Sequence, residues 1–391
     1  MNSYYADLHI HIGRTEEGKA VKITGSRSLT FHNIAEEASD RKGMDIVGII
    51  DCHSPGVQQE IEHYLDNGQM EELPGGGIQY HRSTVILGSE IEVRDPGMGP
   101  AHVLAYFPTL EVMKDFSQWM SRHMKNIQLS SQRIYVTARE LQQEIVGRGG
   151  IIVPAHIFTP HRSVYGSCTD KMANLLDLTN VQAVELGLSS DSAMAGLISE
   201  LAPMTFLTNS DAHSLGKIGR EYNKLSLERS TYEEVVKAIQ RIDGRKVSAN
   251  YGLNPRLGKY HRTYCGGCGT IIDECDAISV ERCSYCGSMK IVRGVMDRIQ
   301  DIADLDQPEK PDYRPPYHYQ VPLEYIPGIG PKKLQELLAQ FDTEMNILHR
   351  ANKEDLAVIA GLEAAEFIVK AREGTLQVES GGGGTYGRII R

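Results

Sequence analysis

Five or six short apolar runs in this chain each carry a histidine, aspartate or glutamate at one end, and that regularity restricts its possible folds more than any other feature. Asp7-Leu8-His9-Ile10-His11 closes the first run. Asp51-Cys52-His53 follows Ile46 to Ile50, Glu90 follows Val85 to Ser89, and His102 precedes Val103-Leu104. His156 follows Ile151 to Ala155, and Asp211-Ala212-His213 follows Phe206 to Thr208. Two imidazoles at i and i+2 on a strand point to one face and can grip one metal ion. Taken singly, each residue has a plainer explanation: His102 and His156 as bonded core histidines, Glu90 as a strand-end charge, Asp51 as a helix cap, Asp211-Ala212-His213 as a capping turn. Taken together they ask for a metal cluster, because six of the fourteen histidines fall inside the pattern. His9, His11, Glu90 and Asp211 make one mixed site. Glu90, as a bridging carboxylate with His102 and His156, makes a second. Imidazole and carboxylate ligands suit zinc, manganese or iron.

Over residues 1–249 the apolar runs alternate with helical patterns, at Ile34 to Lys42, Leu110 to Met124, Thr137 to Val146 and Tyr232 to Ile242. Such alternation implies βα units around a mainly parallel sheet. At least seven strand candidates in about 250 residues favour a closed barrel, with its polar groups gathered at the strand C-termini. The chain of 391 residues is long enough for two or three domains. No apolar run approaches the ~20 residues of a membrane span, and the polar N-terminus enters a strand directly. The expectation is a protein with no membrane partner and no leader, cytoplasmic and associated with the nucleoid. The net charge of -10 argues weakly against nucleic acid, but metal-bound carboxylates make net charge a poor guide.

Residues 250–300 change in composition. Cys265-Gly266-Gly267-Cys268 and Cys283-Ser284-Tyr285-Cys286 are two Cys-x-x-Cys steps, the spacing of a closed, structural zinc site with four cysteine ligands. Two disulfides would need an oxidising compartment. Cys52, Cys168 and Cys275 are expected to be small buried thiols. Arg256, Lys259 and Arg262 stand in a stretch from Gly244 to Tyr264 without a single acid, interleaved with Tyr251, Tyr260 and Tyr264. Cations for phosphates and rings for bases compose a nucleic-acid groove, although a solvated linker face reads the same way. A second acid-free stretch, Phe116 to Arg139, is equally ambiguous.

Residues 301–322 hold five prolines and three tyrosines and read as an extended linker laid over another surface. Residues 323–391 are expected to be all-α with a flexible tail at Gly381 to Gly384. Ile326-Pro327-Gly328-Ile329-Gly330-Pro331-Lys332-Lys333 reads as a helix-hairpin-helix. Gly328 and Gly330 present bare N–H groups at a helix N-terminus, and Lys332 and Lys333 add charge beside this phosphate site. Ile359 to Ala365 is a weaker, acidic copy.

The motifs at His9/His11, Asp51/His53, Glu90, His156 and Asp211/His213 resemble those of the polymerase and histidinol phosphatase (PHP) superfamily. That resemblance implies a distorted (β/α)7 barrel with a two- or three-metal phosphoesterase centre holding Zn2+, Mn2+ or Mg2+. It implies His9, His11, Glu90 and Asp211 on one ion, Glu90, His102 and His156 on the second, and His53 with His213 near a third. The second motif departs from the family pattern, because Cys52 separates Asp51 from His53. Two ions, with Asp51 or His53 as an additional ligand or base, fit the sequence best. Barrel, Cys-x-x-Cys pairs and Gly-Ile-Gly hairpin, in that order, resemble the endonuclease Q family of DNA repair nucleases. The resemblance implies hydrolysis of the phosphodiester 5′ to a deaminated base (uracil, hypoxanthine, xanthine) or an abasic site, with Asp211, Glu90, Asp51 and His53 catalytic. Damaged DNA is the implied partner, with replication or repair proteins beside it. The alternatives are a small-molecule phosphatase of the same superfamily and a non-catalytic DNA-binding adaptor.

Overall fold

A computed structural model describes residues 1–272 and 280–390; Cys275 lies outside the described residues. Strands β1 (Asn2–Ile10), β2 (Ile46–Ile49), β3 (Glu71–Glu72), β4 (Ile78–Tyr80), β5 (Ser83–Val93), β6 (Ala101–Phe107), β7 (Ile151–Pro154), β8 (Ala183–Glu185), β9 (Thr205–Leu207), β10 (Tyr222–Leu227) and β11 (Lys246–Gly252) carry the N-terminal part. β1, β2 and β5 run parallel, as do β8 and β9. The remainder differs from the expected parallel ladder: β5, β6 and β7 pair antiparallel, and so do β1, β10 and β11. For β5 and β6 the reason is the short 94–100 turn, which leaves no room for a crossover helix between them.

The hydrogen-bonded path leaves β1 through β2 and comes back to it. Ile152 pairs with Val181 ahead of β8, and Ile10 pairs with Ala212 just beyond β9. Leu8, Ile46, Ile86, Leu104, Val153, Ala183 and Leu207 form one buried cluster, each from a different strand of that path. Alternate residues of each strand thus fill the inside, as period-2 side-chain direction requires. Gly48 permits the β1–β2 approach, since a Cβ there would lie 2.4 Å from the Leu8 carbonyl oxygen.

Helices α1 (Phe31–Glu36), α2 (Pro55–Asp66), α3 (Leu110–Ser121), α4 (Ala138–Gly147), α5 (Ser192–Ala195) and α6 (Tyr232–Gln240) connect these strands. Thr109, Thr137 and Thr231 cap α3, α4 and α6 by accepting from Val112, Glu140 and Glu234 N–H.

β12 (Tyr264–Cys265) and β13 (Ile291–Val292) form the ribbon pair around the cysteines, and α7 (Val295–Ile302) follows. The proline-rich segment lies over the N-terminal part. Tyr313 donates to Ala202 O, Arg314 stacks on Phe206, and β14 (Tyr317–Tyr319) extends the sheet beside β11. Helices α8 (Pro331–Phe341), α9 (Glu344–His349), α10 (Lys353–Ala360) and α11 (Leu362–Glu373) complete the C-terminal module. It docks through Lys42–Glu344 at 3.0 Å and through Tyr222, whose hydroxyl donates to His349 Nε2 at 2.7 Å.

The tail is neither helical nor a loose glycine run. β15 (Val378–Glu379) and β16 (Arg388–Ile389) pair, Gly383 and Gly384 turn at φ of +60° and +84°, and Gly381 and Gly387 bond to Arg256 O and Leu257 O. Repeated glycine here serves positive φ and close backbone approach, which composition alone does not distinguish from a linker.

Candidate metal centre and nucleic-acid cleft

β1 and the residue just beyond it present Asp7, His9 and His11 on one face. His9 Nε2 lies 3.6 Å from Glu90 Oε1 and 3.5 Å from Asp211 Oδ1. His11 Nε2 lies 3.6 Å from Glu90 Oε2 and 3.4 Å from the same Asp211 oxygen. Glu90, near the end of β5, turns its Oε1 also to His102 Nδ1 at 2.8 Å and His156 Nε2 at 3.4 Å. His213 closes a third group with His11 and Asp211, all donor atoms within 4.8 Å of one another.

These separations have a physical meaning. Ligands about 2.1 Å from one ion in a tetrahedral arrangement stand about 3.4 Å apart. The contacts of His9, His11 and His156 with Glu90 and Asp211, at 3.4 to 3.6 Å, match that spacing, while His102 Nδ1 approaches Glu90 more closely, at 2.8 Å. His9 Nε2, His11 Nε2 and both ring nitrogens of His102 are buried without a hydrogen-bond partner. A fold that buries the Nε2 atoms of His9 and His11 at 3.4 to 3.6 Å from the Glu90 and Asp211 oxygens, without hydrogen-bonding them, fits divalent cations. His156 and Asp211 adopt φ of +30° and +46° to aim at this point, a strain that the surrounding bonds must hold.

Those bonds are extensive. Glu185 Oε2 accepts from His9 Nδ1 at 2.9 Å and from Asn209 at 2.8 Å, while its Oε1 accepts from the His156 N–H. Asp51 does not join the donor groups. Its Oδ2 stands behind His11, accepting from Nδ1 at 3.0 Å and from Ile12 N at 2.8 Å. His53 is further removed, with Nδ1 on Ser89 Oγ and Nε2 facing Leu129 O. Asp7 accepts from the Ser210 and Gly219 N–H groups and so anchors the loop that carries Asp211. Each outer carboxylate fixes the tautomer in which the inner ring nitrogen keeps its lone pair.

Electrostatics follow from this packing. Burial pushes the Glu90 carboxyl up, but His102 and Lys22 outweigh it and hold it well below the usual range. Burial opposes ionisation of Asp211 too, and His9 with its neighbours holds that carboxyl well below 3.8. Burial alone would lower His9; Glu185, Asp211 and Glu90 raise it to about 10.

Glu185, Asp7 and Lys22 were not singled out among the sequence candidates. Glu185 carried the same mark as the others, an acid closing the run from Val181 to Val184. Lys22 and Ser131 carried none. Lys22 Nζ sits 3.2 Å from Glu90 Oε2 and 2.5 Å from Ser131 Oγ, and Ser131 donates to Glu90 from a loop with no periodic pattern.

The centre opens into a cleft of about 420 Å³ whose walls add Arg162, Arg220, Lys259, Tyr260 and Tyr386. Lys259 stands 4.8 Å over the Tyr260 ring. Of the other expected DNA contacts, Arg256 is exposed, while Arg262 pairs with Asp297 at 3.1 Å. Gly328 has φ of +88° and Gly330 caps α8, as the hairpin requires. Lys332 is 91% exposed, but Lys333 donates to Ala360 O at 2.7 Å and ties the two hairpin copies together.

Cys265 and Cys286 sulfurs are 3.5 Å apart, and those of Cys268 and Cys283 are 3.8 Å apart. Thiolates at ~2.3 Å from a tetrahedral zinc stand about 3.8 Å apart, whereas a disulfide needs about 2.05 Å. All four cysteines are free, and the set fits a closed zinc site. Cys52 is buried and Cys168 is half-buried.

A family profile for PHP-associated proteins matches residues 194–242. An uncharacterized Bacillus subtilis protein, YqxK, is 50% identical over the whole of both chains. Among solved structures, the lesion-specific endonuclease PfuEndoQ of Pyrococcus furiosus superposes with a TM-score of 0.84 at 33% identity, covering 99% of this chain and 95% of that one. A structure of endonuclease Q with a duplex carrying an abasic lesion at its active site also scores 0.84 at 33% identity, covering 99% of this chain and 96% of its own.

Proposed function

This chain belongs to the endonuclease Q family of PHP-type, metal-dependent DNA endonucleases, and from that premise we propose that it nicks DNA 5′ to deaminated bases and abasic sites. The observation that carries this reading is the position of Glu90, whose carboxylate belongs to two donor groups, one with His9 and His11 and one with His102 and His156, in a cleft lined by cations and tyrosines. The returning strand path is read as the distorted (β/α)7 barrel that presents them.

His9, His11, Glu90 and Asp211 would hold one ion and Glu90, His102 and His156 the other. Divalent ions so held supply a water of lowered pKa and neutralise charge on the phosphoryl oxygens. The remaining work falls to the protein. Glu185 and Asp51 keep the protons of His9 and His11 on Nδ1, leaving Nε2 for ligation. Lys22 places an ammonium beside Glu90, where it offsets charge on the incoming phosphodiester. Arg162, Arg220 and Lys259 line the approach of the strand, and the C-terminal tail and the start of α7 hold the 256–261 segment through the Gly381, Gly387, Val295 and Met296 N–H groups. The Gly328–Gly330 hairpin would grip phosphates away from the cut, in a manner independent of sequence. His53, on Ser89 and away from the donor groups, supports the wall from which Glu90 projects.

The test uses an end-labelled duplex with one uracil or one abasic site, with Mn2+ or Mg2+. A nick confined to the lesion strand, 5′ to the lesion, is expected from wild type. Asp211→Asn should bind the duplex without nicking it. Turnover of phosphate monoesters with no nick would replace the endonuclease with the phosphatase reading.

A further inference from the structure

Residues 122–137 form a loop with two working faces. Its inner face bonds to the metal centre. Ser130 Oγ lies 3.2 Å from His11 Nδ1, Ser131 donates to Glu90 from a backbone of φ +54°, and Leu129 O faces His53. Its outer face is cationic and aromatic. Tyr135 is 52% exposed, with Lys125 Nζ 5.9 Å and the Arg133 guanidinium 5.1 Å from its ring centre. Arg133 also reaches the carbonyl of exposed Arg94 on the adjoining 94–99 turn.

Two features separate this face from an ordinary solvated surface. Many exposed cations elsewhere in this acidic chain are paired, as in Lys19–Glu17, Arg82–Asp342 and Lys114–Glu62. Arg94, Lys125 and Arg133 have no carboxylate partner among the described residues. The strip also continues to the metal cleft. Arg162 on the cleft wall pairs with Glu92 at 3.2 Å, and Glu92 is the backbone partner of Arg133. Trp119, the other prominent ring in the same stretch, is turned inward on Phe116, which leaves Tyr135 as the presented aromatic.

We propose that Lys125, Arg133, Tyr135 and Arg94 form a second DNA track, outside the metal cleft, that takes the sugar-phosphate backbone beside the cut and stacks an unpaired base on Tyr135. The inference rests on the endonuclease reading. The chemistry requires a polyanion with planar rings, because unpaired cations bind phosphates and an exposed ring flanked by cations binds bases. Continuity with the cleft makes that polyanion the substrate strand itself. Because one short loop carries both faces, a strand seated outside holds Ser131 and Glu90 in place inside.

The experiment compares wild type with the variant Lys125→Ala/Arg133→Ala/Tyr135→Ala. The probe is a fluorescent duplex with an uncleavable abasic analogue, titrated at several salt concentrations. Metal content and melting temperature serve as controls on the fold. The expected result is a Kd raised at least about tenfold, with the log Kd against log salt slope reduced by about 2, one unit per lost phosphate contact. Controls unchanged alongside that result support the track. A Kd and slope within twofold of wild type overturn it. Loss of metal from the variant also overturns it, because the loop would then act on the centre and not on DNA. Wild type that neither binds nor nicks a lesion duplex would instead overturn the endonuclease reading, which separates the two failures.

Discussion

Glu185→Gln is the most searching substitution outside the donor set, because it preserves shape while removing one charge. Glu185 accepts three hydrogen bonds, from His9 Nδ1 at 2.9 Å, from Asn209 Nδ2 at 2.8 Å and from the His156 N–H at 3.0 Å. A glutamine has one acceptor oxygen and one donor amide at these positions. If the oxygen keeps the His156 N–H, the amide meets His9 Nδ1, and the imidazole proton moves to Nε2, the atom aimed at Glu90 and Asp211. If the amide is flipped, the His156 turn loses its anchor, and His156 holds φ of +30° against strain. Either way one ligand of the centre is compromised. Loss of such an outer partner costs about 10–100-fold in metal affinity, roughly 1.4–2.7 kcal/mol. Chelator-competition titrations with Mn2+ should show that weakening, and nicking should recover at high Mn2+. An affinity within twofold of wild type would refute the argument that Glu185 sets the His9 tautomer.

Other outcomes follow from the same geometry. Cys265→Ser should remove one zinc per chain and open the β12–β13 pair to limited proteolysis, with the histidine centre still loaded; unchanged zinc content would exclude the four-cysteine site. His349 is depressed by burial from 6.5 to about 3, so its neutral ring accepts from Tyr222 only in the folded chain. Its contribution is complete above pH 6.5 and is lost as pH falls toward 3, by at most about 1.4 kcal/mol per pH unit. Denaturant melts of wild type and His349→Gln between pH 7 and 4 should differ in slope, wild type losing stability more steeply as pH falls; parallel curves would remove this linkage.

The histidines and acids of the centre could be read in the sequence because each closes a buried strand, where a polar residue is conspicuous. Glu185 bears the same mark, an acid closing the apolar run of β8. Asp51 and His53 show the limit of that reading. Both follow an apolar run, yet side-chain direction sends Asp51 behind His11 and His53 onto Ser89. The parallel ladder was expected from βα alternation, which cannot register that the 94–100 turn folds β6 back antiparallel. Lys22 and Ser131 reach Glu90 from irregular loops, and no periodicity or spacing marks a residue whose partner lies 68 or 41 positions away. Lys333 looked like a phosphate contact because charge beside a glycine turn suggests one. Its partner, the Ala360 carbonyl at the end of α10, becomes visible only when the second hairpin is folded against the first.

Metal stoichiometry in wild type and Glu90→Ala, measured by mass spectrometry of the ions retained after dialysis, bears on the whole account at once. If the two donor groups share Glu90, wild type should retain the cysteine-bound zinc plus two further ions, and the variant should keep the zinc alone. A variant that still retains the full complement would mean that Glu90 bridges nothing, and hydrolysis at that centre would have no basis.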